Sequence, residues 1–150
     1  MPEPLLRHGT WFAICDGQRA LLLENHGDHA YPNLQTRETF KQENPAAHLQ
    51  GSAPPGRTFS SMGTHRSAAE ETDFHVQAAE AFLRNFAEKL NHCVEERKIH
   101  ALVLIAPARA LGLIRPHLSQ MTRRILTTEL DRDYVKMPLY EIERHLAAIP

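Results

Sequence analysis

The chain holds only two cysteines, Cys15 and Cys93, among 150 residues. That excludes a disulfide scaffold and points to a reducing compartment. It has no surplus of charge: 17 Lys and Arg stand against 18 Asp and Glu, for a formal net charge of -1. A globally basic nucleic-acid binder is excluded, although a local basic patch is not. No apolar stretch reaches the roughly 18 residues needed to cross a membrane. Met1 to His8 carries no apolar core behind a basic start, so no membrane partner and a cytoplasmic location are expected. There is no G-x-S-x-G elbow, no phosphate-binding P-loop, no G-x-G-x-x-G, no C-x-x-C and no H-E-x-x-H. No motif therefore names a reaction, and no cofactor is expected. Internal repeats and heptads are absent too.

What is present fits one folded domain over residues 1–150: 42% hydrophobic residues are too many for a disordered chain. Thr10 to Cys15 reads TWFAIC, a short apolar run that predicts a strand buried on both faces. Asp16-Gly17 follows as a hairpin signal, glycine accepting positive φ, and Gln18 to Glu24 predicts the return strand. Leu34 to Phe40 alternates Thr36, Glu38 and Phe40 against Gln35, Arg37 and Thr39, a polar third strand suited to an edge. Residues 42–66 hold Pro45, Gly51, Pro54, Pro55, Gly56 and Gly63 and read as one long loop.

Ser67 and Glu70 match a capping box. Phe74, Ala78, Phe82, Phe86, Leu90 and Val94 then mark the apolar face of a helix from Ala68 to Arg97, about 45 Å long. His100 to Ala106 predicts a buried strand closed by Pro107. Ala108 to Leu118 predicts a helix broken at Pro116, and Ile125 to Leu130 a fifth strand. Pro138 opens a last helix with Leu139, Ile142, Leu146 and Ile149 on its buried stripe. The order β-β-β-α-β-α-β-α implies an α/β fold. A mixed five-stranded sheet is expected, an antiparallel meander followed by parallel crossovers, with helices packed on it.

Candidate chemistry is sparse. Cys15 lies in an apolar strand and Cys93 beside a buried helix face, surroundings that keep a thiol inert. His65, Glu71 and His75, with Asp73 near, are candidate metal ligands; the alternative is a solvated Glu-His pair on a helix face. His65, Asp131 and Asp133 are candidate catalytic groups for a hydrolase, with turn capping as the alternative role of the two aspartates. The most distinctive feature is charge order. Between Glu96 and Glu129 there is no acidic residue, while Arg97, Lys98, Arg109, Arg115, Arg123 and Arg124 fall inside. Arg109 follows a central strand at the start of a helix, where open α/β sheets bind ligands. Arg109, Arg115, Arg123 and Arg124, joined by Arg57 from the long loop, are the candidate phosphate and RNA contacts.

Trp11-Phe12-Ala13-Ile14-Cys15-Asp16-Gly17-Gln18-Arg19-Ala20 resembles the opening of the bacterial host attachment protein family. Pro55-Gly56-Arg57, Leu102 to Pro107, Ala110 to Arg115 and Glu129-Leu130-Asp131-Arg132-Asp133-Tyr134 resemble it further, so the likeness runs from about residue 9 to 147. That family is related to the middle domain of archaeal and eukaryotic peptide-chain release factors. The resemblance implies a three-layer α/β/α, ribonuclease H-like fold. In release factors the loop before the long helix carries the Gly-Gly-Gln tripeptide that promotes peptidyl-tRNA hydrolysis. Here that loop reads Ser61-Met62-Gly63-Thr64-His65 and has no Gly-Gly-Gln. The expectation is a non-enzymatic module that binds RNA or the ribosome. A metal-dependent hydrolase or nuclease is one alternative. A protein-interaction module in attachment to host cells or surfaces, self-association included, is another.

Overall fold

The structure, a computed structural model, describes residues 4–43 and 68–149. Five strands form one sheet: β1 (Trp11–Cys15), β2 (Arg19–Asn25), β3 (Leu34–Lys41), β4 (Leu102–Ala106) and β5 (Leu126–Asp131). Their spatial order is β3-β2-β1-β4-β5. β2 is antiparallel to both β1 and β3, whereas β4 is parallel to β1 and β5 is parallel to β4. β1 is therefore central, and every one of its residues is buried. Trp11, Ala13 and Cys15 face one core; Phe12 and Ile14 face the other.

Helices α1 (Ala68–Glu95), α2 (Ala108–Ile114) and α3 (Gln120–Ile125) lie over the first core, and α4 (Leu139–Ala148) over the second. The result is three layers, α/β/α, as expected, and the strand order is consistent with a ribonuclease H-like arrangement. Leu83, Phe86, Ala87, Leu90 and Val94 press α1 onto the sheet. Ile142 and Leu146 do the same for α4 against Phe12, Ile14 and Val103.

Several details depart from the sequence reading. Helix α1 ends at Glu95, and Arg97 takes a left-handed φ of 61°. There the Lys98 N–H bonds the Cys93 carbonyl at 3.0 Å and the Arg97 N–H the Val94 carbonyl at 3.0 Å, a Schellman cap with arginine in the glycine position. The four-residue stripe on α1 is only partly buried: Phe86, Leu90 and Val94 are in the core, but Phe74 is 38% exposed. Each four-residue step overshoots one helical turn by about 40°, so the stripe drifts off the sheet toward the helix start. The Ser67 cap and most of the 42–66 loop lie outside the described residues.

Gly17 does not have a positive φ. The Asp16 carboxylate makes the turn, accepting the N–H groups of Gln18 at 2.7 Å and Arg19 at 2.8 Å. Glycine is required for space, since a Cβ there would sit 2.9 Å from Ala79 Cβ on α1. β3 does not keep one alternation. Leu22 pairs with Glu38 but Leu23 with Thr36, leaving Arg37 as a bulge. The extra residue switches faces, so Leu34 joins the core under α4 while Phe40 packs against the core under α1. Arg37 Nε then reaches Glu24 Oε1 at 2.7 Å.

Candidate functional site

The acid-free stretch folds into α2, a single 3-10 turn (Arg115–His117) and α3, all carried on the α1 face. The helix expected from Ala108 to Leu118 stops at Ile114, and α3 is an element the periodicity did not show. Pro116 tightens the chain into the 3-10 turn. Ser119 then starts α3: its hydroxyl accepts the Thr122 N–H at 3.1 Å.

A polar knot under that cap fixes the segment to α1. Asn91 donates Nδ2 to the His117 carbonyl at 3.0 Å. Its Oδ1 accepts the Ser119 N–H at 2.9 Å and the Thr122 hydroxyl at 2.7 Å. Thr122 is fully buried and also accepts from Ser119 Oγ at 3.0 Å. Sequence reasoning missed Asn91; its one signal was a polar residue beside the apolar stripe of a long helix.

The knot sets where the arginines stand. Arg123 and Arg124 end α3, and both are exposed. Arg123 Nη2 donates to the Arg115 carbonyl at 2.6 Å, so the structure brings Arg115 and Arg123 together. Arg109 stands exposed in the first turn of α2. Among the described residues, no carboxylate pairs with Arg109, Arg123 or Arg124. Arg115 differs from the expectation of uncompensated charge. Its Nε donates to Glu129 Oε1 at 2.8 Å and its Nη2 to Oε2 at 3.4 Å. That hydrogen bond and the carboxylate charge push the guanidinium pKa up. The pair spans a crossover, from the end of α2 to β5, which sequence spacing does not reveal. Lys98 is likewise matched, by Glu96 at 3.5 Å.

The other candidates are more scattered. Asp131 ends β5 opposite Ala106, and Asp133 follows; both are exposed. Between them the Arg132 N–H bonds the Ala106 carbonyl at 3.2 Å, and its Nη1 the Asp131 carbonyl at 2.7 Å. His75 is exposed, its ring centroid 5.8 Å from that of Phe74. His65, Arg57 and the side chain of Glu71 lie outside the described residues. Among the described residues no three His, Cys, Asp or Glu side chains converge as metal ligands. Burial, reinforced by the Asp16 charge, pushes the Cys15 thiol up to about 12, and burial raises Cys93 as well. Both thiols are held in the protonated, unreactive form.

A groove of about 720 Å³ runs between the end of β3 and the drifted stripe of α1, lined by Phe40, Phe74, Ala78, Ala81, Phe82 and Lys89 among others. Phe40 meets Phe86 edge-on at 5.1 Å between centroids, and Lys89 Nζ lies 5.8 Å from the Phe40 centroid. Among the described residues no helix is long and apolar enough to cross a membrane.

Comparison with curated proteins gives no match. A family model described as "protein required for attachment to host cells" matches residues 11–146, from the first residue of β1 to the last buried leucine of α4. That span takes in the whole sheet and its covering helices, so the chain belongs to the host attachment family.

Proposed function

We propose that this chain is a non-enzymatic binding module that contacts the phosphates of RNA, on the ribosome or on tRNA, through Arg109, Arg123 and Arg124. One observation carries the reading. These three exposed guanidiniums rise from a stretch without a single acid, and no carboxylate among the described residues neutralises them. Phosphate contacts supply most of the affinity in such interfaces, and arginine forks match their geometry. Arg115 holds β5 through Glu129 and is left with a supporting role; Arg57, outside the described residues, is a further candidate contact. The resemblance to release-factor middle domains, which work on the ribosome, is the reason to choose translation RNA as partner.

The test is co-sedimentation of the purified chain with ribosomes and with total tRNA across salt concentrations. Binding is expected to fall steeply with salt. Reversing Arg109, Arg123 and Arg124 to Glu should flatten the log-log slope by about 2 to 3, at roughly 0.7 to 0.9 per lost phosphate contact. An unchanged slope in the triple variant, or no binding by the parent chain, rejects the proposal.

A second reading, protein contact during attachment, is favoured by the phenylalanine groove between β3 and α1. Light scattering across concentration separates its self-association form from the RNA reading. Self-association lost in Phe74→Lys, with RNA binding absent, decides for it.

A further inference from the structure

The amino ends of the parallel strands form a second concave site, at the opposite end of the sheet from α2 and Asp131. Thr10 precedes β1, Ala101 precedes β4, and Thr127 and Thr128 follow Leu126, the first residue of β5. With Arg7 and His8 they line a cavity of about 410 Å³. That size suits a small ligand.

The walls are fixed. Asn25 is fully buried, and its Nδ2 bonds the carbonyls of Leu6 at 3.0 Å and Arg7 at 3.2 Å. The backbone N–H of Asn25 bonds the Thr10 carbonyl at 2.9 Å, and the Gly9 N–H bonds the Asn25 carbonyl at 2.8 Å. Gly9 has φ +80, a left-handed turn that glycine tolerates. His8 Nδ1 donates to the Gly27 carbonyl at 2.9 Å, which leaves Nε2 as the ring atom for a ligand. On the far wall β5 bulges: Leu102 pairs with Leu126 but Val103 with Thr128, and Thr127 Oγ1 donates to the Leu102 carbonyl at 3.2 Å.

Two observations point to a ligand. Among the described residues the lining contains a guanidinium, an imidazole and three hydroxyls, and no carboxylate. Thr10 is also only 5% exposed, yet its hydroxyl makes no hydrogen bond among the described residues. No buried side-chain oxygen or nitrogen among the described residues is left without a partner. The Thr10 hydroxyl is therefore not sealed off from solvent, and Thr10 lines this cavity.

We propose that this cavity binds the phosphate group of a small molecule, with Arg7 and the Thr10 hydroxyl as its principal contacts and Thr128 beside them. Arg7 keeps another contact of its own, which the site tolerates because a guanidinium has five donors. The site is separate from the arginines of α2 and α3 and does not depend on their role.

The experiment is amide NMR of the full chain titrated with inorganic phosphate at constant ionic strength, with acetate and chloride as parallel arms. Saturable shifts at Thr10, Ala101, Thr127 and Thr128 with phosphate are expected. Arg7→Gln should weaken binding about tenfold or more, the scale of a charge-assisted hydrogen bond, and Thr10→Val about two- to tenfold. Arg7 is exposed and valine matches threonine in shape, so both variants should fold, and the dispersion of their amide spectra checks it. Lys136→Ala, an exposed cation outside both sites, should leave the titration unchanged. Four outcomes overturn the proposal: no saturable shift, shifts at Arg109 and Arg124 instead, parental affinity in both cavity variants, or an equal response to acetate or chloride.

Discussion

Replacing Asn91 by alanine deletes the centre of the knot that ties α3 to α1. Three hydrogen bonds disappear, at 3.0, 2.9 and 2.7 Å. The groups left behind differ in their access to water. The Thr122 hydroxyl is fully buried and keeps only its bond from Ser119 Oγ, whereas the Ser119 N–H and the His117 carbonyl are half-buried. One buried group stranded at about 1 to 3 kcal/mol, plus two partly solvated ones at about 0.5 to 1 kcal/mol each, predicts a loss of about 2 to 5 kcal/mol. Asn91→Asp keeps both accepted bonds but turns a carboxylate oxygen toward the His117 carbonyl, so it should cost less than alanine yet remain destabilising. Thr122→Val in the Asn91→Ala background should cost little more, because the two side chains share one bond. Urea unfolding followed by circular dichroism measures all four chains. A loss below about 0.5 kcal/mol for Asn91→Ala, at an unchanged m-value, refutes the knot as the anchor of α3. Full additivity of Asn91→Ala and Thr122→Val refutes the assigned 2.7 Å bond.

Arg97→Gly should stabilise the fold by about 1 kcal/mol, because glycine occupies φ 61° without the steric penalty of a Cβ; thermal or urea unfolding reads it. Gly17→Ala should destabilise by about 1 to 3 kcal/mol through its 2.9 Å collision with Ala79, and Ala79→Gly should restore part of that loss in unfolding assays. The Cys15 thiol is raised from 9.0 to about 12, so above pH 9 the unfolded chain releases a proton that the folded chain retains. Its contribution to stability is full below pH 9 and falls as pH rises toward 12, by about 1.4 kcal/mol per unit, and this extra slope should vanish in Cys15→Ala. Glu129→Gln should leave the charge of Arg115 unmatched, and a steeper salt dependence of phosphate binding measures it.

Most of the architecture was readable because its signals are local. TWFAIC and HALVLIA announce strands buried on both faces, and β1 and β4 are buried throughout. α3 was not readable: QMTRRI has no apolar period, and its formation depends on Ser119 as cap and on Asn91, distant in sequence. The Arg37 bulge was hidden because alternation looks the same whether or not one residue is skipped. The charge reading was half right for a similar reason. Counting along the chain finds the missing acids between Glu96 and Glu129, but only the crossover brings Glu129 back onto Arg115. The cavity at Thr10 left no trace in the sequence, since it is assembled from the starts of three strands.

The central place of β1 also sets an order of assembly. Its pairing with β2 needs a turn of a few residues, so that hairpin and β3 can form as soon as residue 41 is synthesised. Its other edge waits for β4, whose Leu102 pairs with Trp11 across ninety-one positions. Until then a nascent three-stranded sheet shows an unpaired edge and two bare apolar faces, the state in which strand proteins are most exposed to aggregation. Closing so long a loop is slow compared with making a hairpin. Folding of this chain on the ribosome should thus hinge on the arrival of Leu102–Ala106, and a truncation ending before it should be retained by chaperones rather than released.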